Sequence, residues 1–156
     1  MSSYAIPFAS AKLGKFQQEP PQLRNPFIAD TTSYSFLKRH LPPDIWIAVC
    51  EDLTKFGDRI VSELAELHVQ CEAETPRLEQ YDVWGRRVDR LITSSAWKRQ
   101  KAVSAEEGLI AIGYEPDRWK EFNRLYQHTK LSLYSPSAGL YTCPLAMTDG
   151  AAKCIK

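Results

Sequence analysis

No apolar run in this chain approaches the about 18 residues that a membrane-crossing helix needs. Met1 to Gln18 also lacks the continuous apolar stretch of a secretory signal. Glycine is scarce, at seven in 156 residues, and none falls into Gly-x-Gly-x-x-Gly or Gly-x-x-x-x-Gly-Lys, so no phosphate-cradling loop is written here. The four cysteines (50, 71, 143 and 154) form no Cys-x-x-Cys, and the three histidines (40, 68 and 128) are dispersed, which removes zinc spacing. No serine sits in a Gly-x-Ser-x-Gly elbow, and Cys143 has no histidine or cation beside it in sequence to lower its pKa. Neither sign of charge is in excess, with 20 basic against 19 acidic residues, where a dedicated nucleic-acid binder would carry a basic surplus. Without a signal, the cysteines read as reduced, buried small hydrophobes in an intracellular protein, cytoplasmic or mitochondrial. A presequence stays open, since Lys12 and Lys15 precede the first acidic residue, Glu19, although no arginine does.

What is present is enough for one ordinary domain. The apolar fraction is 44% and the charged fraction 25%, which are globular values. Prolines at 7, 20, 21 and 26 make residues 1–29 an irregular arm that carries Tyr4, Ile6, Phe8, Phe16, Phe27 and Ile28 as apolar anchors. Asp30-Thr31-Thr32 is a helix start, and Pro42-Pro43 stops the segment it opens. Asp44 is expected to cap the strongest helix. In that helix Ile45, Val49, Leu53, Phe56, Ile60, Leu64 and Leu67 step by four, four, three, four, four and three, one apolar stripe with a solvated outer face. After Thr75-Pro76 the pattern changes. Trp84-Gly85 reads as a turn, and 80–83 with 87–92 form a short hairpin. Ser94 and Ser95 cap a helix to about Gly108. Glu115-Pro116 opens another, with Trp119, Phe122, Tyr126 and Leu133 inward, and Ser135-Pro136-Ser137 interrupts it before a last segment to the end. Four or five helices with almost no strand predict an all-α bundle over residues 30–156.

Two charged features carry little chemistry. Glu106 and Glu107 diverge on a helix and read as solvent-facing, not as an acid/base couple. Arg86, Arg87, Arg90, Lys98, Arg99 and Lys101 form a basic cluster near Trp84 and Trp97, but Asp82 and Asp89 lie within it. Salt bridges fixing the turn against a helix are the expectation there, in preference to nucleic-acid contact. In the last segment Leu140, Cys143, Met147, Ala151 and Cys154 recur at helical steps. That face needs cover, and its partner is expected beyond residue 156, which makes the chain read as the front part of a larger protein.

Two motifs give a more specific reading. Tyr81-Asp-x-x-Gly-Arg-Arg-Val-Asp89, followed eight residues on by Trp97, and Cys143-Pro-Leu-Ala-Met-Thr148 stand in the order seen in the acyl-CoA dehydrogenase superfamily. From about residue 25 onward the chain resembles the amino-terminal helical domain of its adaptive-response, AidB-like branch. The resemblance implies a flavoprotein with a helical domain, a β-rich middle domain and a helical carboxy-terminal domain. Such proteins bind FAD and oxidise the α,β bond of fatty acyl-CoA, with a glutamate base and hydride transfer to the flavin, and the full-length form is expected to be a homo-oligomer. Neither the Gly-Gly-Ser-Asp-like flavin loop nor the catalytic glutamate falls within these 156 residues. The chain alone is therefore expected to be catalytically inactive and without flavin or metal. By the same resemblance the last helix lines the acyl tail, with Tyr141, Leu145, Met147 and Thr148 as candidates. The alternatives are a non-catalytic interaction module and, behind it, nucleic-acid contact through residues 86–101.

Overall fold

Asn25 and Asp30 set up the first turns of the structure, a computed structural model that describes residues 21–155. The apolar anchors at 4, 6, 8 and 16 lie outside the described residues. Asn25 Oδ1 accepts from the Phe27 and Ile28 amides at 3.0 and 3.2 Å, and Pro26 has no amide to leave unpaired, so α1 (Pro26–Ala29) forms as one turn. Its Phe27 is fully buried, so this end of the proline-rich arm belongs to the core. Asp30 then caps α2 (Thr31–His40), accepting from the Thr32 and Ser33 amides at 3.1 and 3.0 Å.

Pro42, not Asp44, occupies the cap of α3 (Pro43–Arg59). Pro43 at the first position supplies the helical φ and removes an orphan amide, which leaves Asp44 as a first-turn charge. The stripe read from sequence is buried from Ile45 to Leu64, with Leu67 half-buried. It runs through a π turn at Ile60–Leu64 into α4 (Ala65–Ala73). This rod serves two apolar cores. Ile45, Val49 and Leu53 pack with Phe27, Leu37, Ile112, Trp119 and Tyr126. Phe56, Ile60 and Leu64 pack with Val103, Leu109, Tyr134, Tyr141 and Leu145.

Gly57 lets α1 dock on that rod. A Cβ there would stand 2.0 Å from Asn25 Oδ1. The same amide donates to Thr54 O at 2.9 Å and Asp58 Oδ1 at 2.8 Å. Gly57→Ala gains about 1 kcal/mol of helix propensity. It forfeits about 1 kcal/mol of cap and about 1 kcal/mol for each displaced hydrogen bond. The expected outcome is a net loss of about 1–2 kcal/mol in urea unfolding; a stabilised variant would show that Asn25 swings aside freely.

β1 (Arg77–Tyr81) and β2 (Arg87–Ile92) form the expected hairpin, three residues earlier on its first strand than read from sequence. Leu78 faces Leu91 and Glu79 faces Arg90, and an extra residue on β2 makes a bulge where Asp89 adopts a φ of 43°. Asp82 Oδ1 accepts from the Trp84 and Arg86 amides, and Gly85 supplies the positive φ of 76° that closes the turn.

Ser94 caps α5 (Ser95–Glu106), accepting from the Trp97 amide at 3.1 Å. The helix expected from Pro116 is broken. α6 (Pro116–Trp119) stops where Lys120 takes a φ of 53°, and α7 (Asn123–Tyr134) resumes after a 3-10 turn. Ser135–Ser137 is a further 3-10 turn, and Gly139 and Leu140, at φ 52° and 63°, reverse the chain into α8 (Thr142–Ile155). The count exceeds four or five because α1 adds a turn, the π segment divides the long rod and Lys120 divides another helix. The all-α class stands, with one two-stranded ribbon among the described residues. None of their helices is long and apolar enough to cross a membrane.

Candidate functional site

α8 is the element on which the sequence placed its candidates, and its orientation follows from what it packs on. Tyr141 and Leu145 are buried in the second core, and Tyr141 meets the Trp97 ring edge-on at a centroid distance of 5.0 Å. Further along, Asp149 Oδ1 accepts from Arg124 at 2.7 Å, and its carbonyl accepts from the Tyr114 hydroxyl at 2.8 Å. Arg124 in turn lies 4.5 Å over the Tyr114 ring. Burial works to raise the Asp149 carboxyl, and the bonds from Arg124 and Tyr114 outweigh it, so its pKa ends below the ordinary value.

With those contacts inward, the stripe of Leu140, Cys143, Met147, Ala151 and Cys154 faces outward, and all five residues are exposed. Among the described residues nothing buries that face, which corrects the reading of Cys143 and Cys154 as buried hydrophobes; Cys50 and Cys71 are half-buried.

Tyr141, Leu145 and Thr148 form one wall of a groove of about 390 Å³ between α8 and α5. The opposite side is mostly small, with Ser104, Ala105, Gly108 and Ala111, and Ile110 and Lys101 also line it. Thr148 satisfies its hydroxyl on its own helix, donating to Pro144 O at 2.9 Å. Met147 stands outside this groove and is 72% exposed. Leu145 also lines a neighbouring groove of about 490 Å³ between α7 and α8, with Ile110, Leu131 and His128. The periodicity of the last segment pointed to α8. The small residues opposite it went unread because Ser104, Ala105 and Gly108 match no motif and mark only a helix end.

Beneath these grooves the ion pairs are denser than the sequence suggested. Lys130 is 2% exposed and bonds both Asp52 and Glu107 at 2.8 Å, with Phe56 stacked 5.0 Å from its ammonium. Arg59 holds Glu107 at 2.6 Å, Glu106 at 2.5 Å and Glu63 at 2.8 Å, and Arg99 holds Glu63 and Glu106 at 2.7 and 2.6 Å. Glu106 and Glu107 are thus bridging groups and not solvated spectators. Hydrogen bonds from Arg99 and then Arg59 hold the Glu106 carboxyl below its ordinary pKa. Burial, then the hydrogen bond to Asp52, pushes the Tyr126 phenol upward. Arg99 ties helix to helix, whereas the hairpin arginines pair within the ribbon: Arg87 with Asp89, Arg90 with Glu79, Arg86 with Asp82. The expected bridge from turn to helix is therefore not the one that forms.

The polar cavity above Lys130, about 310 Å³, is lined by four carboxylates (Asp52, Glu106, Glu107, Glu115) against Arg118 and Lys130. That balance of charge makes this cavity a poor host for a pyrophosphate. Among the described residues no group of three or more His, Cys, Asp or Glu is gathered for a metal.

Helical architecture, the Tyr81–Asp89 ribbon and the Cys143–Thr148 helix define an acyl-CoA dehydrogenase-type amino-terminal domain. Residues 17–156 match the adaptive response protein AidB N-terminal domain family, and the chain belongs to it. Acyl-CoA dehydrogenase family member 11 of Caenorhabditis elegans is 49% identical over 146 residues, which are 94% of this chain and 24% of that protein. A crystal structure of Caenorhabditis elegans ACDH-11 in complex with C11-CoA superimposes with a TM-score of 0.85 over 94% of this chain and 25% of its own, at 49% identity. Bd2924 in its apo form gives a TM-score of 0.82 at 40% identity, over 88% of this chain and 27% of its own. The chain spans about a quarter of the relatives it matches. The resemblance drawn from the two motifs is borne out.

Proposed function

We propose that this chain is the amino-terminal domain of an intracellular FAD-dependent acyl-CoA dehydrogenase-like protein, cytoplasmic or mitochondrial, supplying a wall of the acyl-chain pocket and contacts for assembly. The carrying observation is the groove between α5 and α8, where Tyr141, Leu145 and Thr148 face the small residues 104, 105, 108 and 111 together with Ile110 and Lys101. An alkyl chain gains about 0.8 kcal/mol for each methylene it withdraws from water, so a smooth apolar trough suits it. The solved relative in complex with C11-CoA supports this reading. Met147, outside the groove, is proposed to meet the tail only where further protein closes over α8. The chain's own role is to shape and position; oxidation belongs to the flavin-bearing remainder of such proteins.

Calorimetric titration with C11 acyl-CoA and with coenzyme A alone isolates the tail. The acyl form should bind at least about a hundredfold tighter, and Thr148→Trp, which blocks about three methylenes, should weaken it about fiftyfold while leaving coenzyme A unchanged. Equal affinity for both ligands, or an indifferent Thr148→Trp, refutes the acyl-wall assignment.

A further inference from the structure

From Gly57 onward, every exposed apolar side chain of the rod formed by α3, the π turn and α4 lies on one line. Gly57, Val61, Ala65, Val69 and Ala73 follow at steps of four, which makes them one continuous row on a helix surface. Val61 and Val69 are 38% and 64% exposed. Asp58, Glu66 and Glu72 each stand three residues from one of these valines, and Glu74 follows at the end of the row. None of the four carboxylates enters an ion pair among the described residues. The row ends at a groove of about 340 Å³, where Cys71, Leu91, Trp97 and Leu140 supply apolar walls and the exposed Glu72 and Glu74 also line it.

An apolar row flanked by these carboxylates selects an occupant that is basic, free of acids and tipped with an apolar anchor. Residues 1–18 have that composition: they hold no acid, carry Lys12 and Lys15, and set Phe16 beside the second lysine. The chain that follows them reaches the rod at the start of the row, where Asn25 Oδ1 sits over Gly57. From Gly57 to Cys71 is fourteen residues of helix, about 21 Å at ~1.5 Å each. The nine residues from Asn25 back to Phe16 span up to about 30 Å, so the ring has the length of chain it needs to reach the groove. A phosphate backbone or an anionic lipid surface would be repelled by the same four carboxylates.

We propose that the amino-terminal arm docks along this row as an intramolecular clasp, seating Phe16 in the groove and setting Lys12 and Lys15 against Glu72 and Glu74. The clasp is independent of the acyl-wall reading, because this groove and the one between α5 and α8 share no lining residue.

Trypsin should cut the full chain after Lys15 at least about tenfold more slowly than it cuts a free peptide of residues 10–20, because cleavage tracks the open population. Phe16→Ala, measured against a peptide with the same change, should remove about tenfold of that protection, as loss of an aromatic anchor does. Glu72→Gln with Glu74→Gln should remove about fivefold, the worth of two exposed ion pairs. Circular dichroism checks that each variant keeps the fold. In a Cys50→Ser, Cys143→Ser, Cys154→Ser background, oxidised Phe16→Cys should form a disulfide with Cys71 within one chain. Cleavage as fast as in the peptide, protection indifferent to both variants, or the absence of that disulfide overturns the proposal. A disulfide that joins two chains overturns it too, since the groove would then belong to a second copy. C11 acyl-CoA titration of Phe16→Ala, expected to match the parent chain, separates failure here from failure of the acyl-wall reading.

Discussion

Lys130→Met will destabilise the domain by about 3 kcal/mol, seen as a fall of about 10 °C in the melting temperature. The side chain of Lys130 is 3% exposed and joins Asp52 to Glu107, each at 2.8 Å. Methionine keeps the volume over Phe56 but strands two carboxylates at once. Removing one partner of a buried pair costs about 3–5 kcal/mol, because the remaining charge stays desolvated. The lower figure applies here, since Glu107 keeps Arg59 and Asp52 keeps the Tyr126 hydroxyl and some contact with water. Adding Glu107→Gln to Lys130→Met should recover about 1 kcal/mol by neutralising the less exposed carboxylate. A loss below about 1 kcal/mol for Lys130→Met would mean that water reaches the cavity and does the lysine's work.

Gln100→Ala is expected to cost about 3–5 kcal/mol, measured by urea unfolding. Gln100 and Tyr134 are both fully buried. The Gln100 amide donates to Ser137 O at 2.8 Å and its carbonyl accepts from the Tyr134 hydroxyl at 2.9 Å. Alanine opens a cavity, orphans the Ser137 carbonyl and leaves the Tyr134 hydroxyl only its long 3.5 Å bond to the residue 100 carbonyl. Tyr134→Phe leaves the ring in place and orphans one acceptor, so about 1–2 kcal/mol is expected for it. Equal effects for the two variants would show that neither the cavity nor the lost bond to Ser137 O contributes. The network pins α5 to the turn that leads into α8, so Gln100→Ala should also loosen the groove between α5 and α8 and, on the proposed acyl-wall role, weaken C11 acyl-CoA binding.

The helical stripe from Ile45 to Leu64 was legible because six apolar side chains at helical spacing leave the chain few other ways to hide them. The hairpin was legible from Gly85, whose positive φ the turn requires. Local rules failed where long-range packing decided. Nothing near Lys120 announces a positive φ, and Glu106 and Glu107 look solvated until Arg59, 47 and 48 residues away, is brought to them. The inward face of α8 was not legible for a similar reason. Its stripe of small and sulfur-bearing residues is real, but Tyr141, Leu145 and Asp149 hold the inward side through contacts that no periodicity encodes. Of the four candidate lining residues, geometry gathers Tyr141, Leu145 and Thr148 in one groove and leaves Met147 apart.

The helix that opens at Pro43 contributes to both apolar clusters: Val49 and Leu53 lie in one, and Phe56, with Ile60 just beyond, in the other. Neither cluster can dissolve while that shared spine stays folded, and losing either strips apolar cover from half of it. Damage at the Phe27 end is therefore felt at the Leu145 end, and the groove beside α8 inherits its firmness from residues that never touch it.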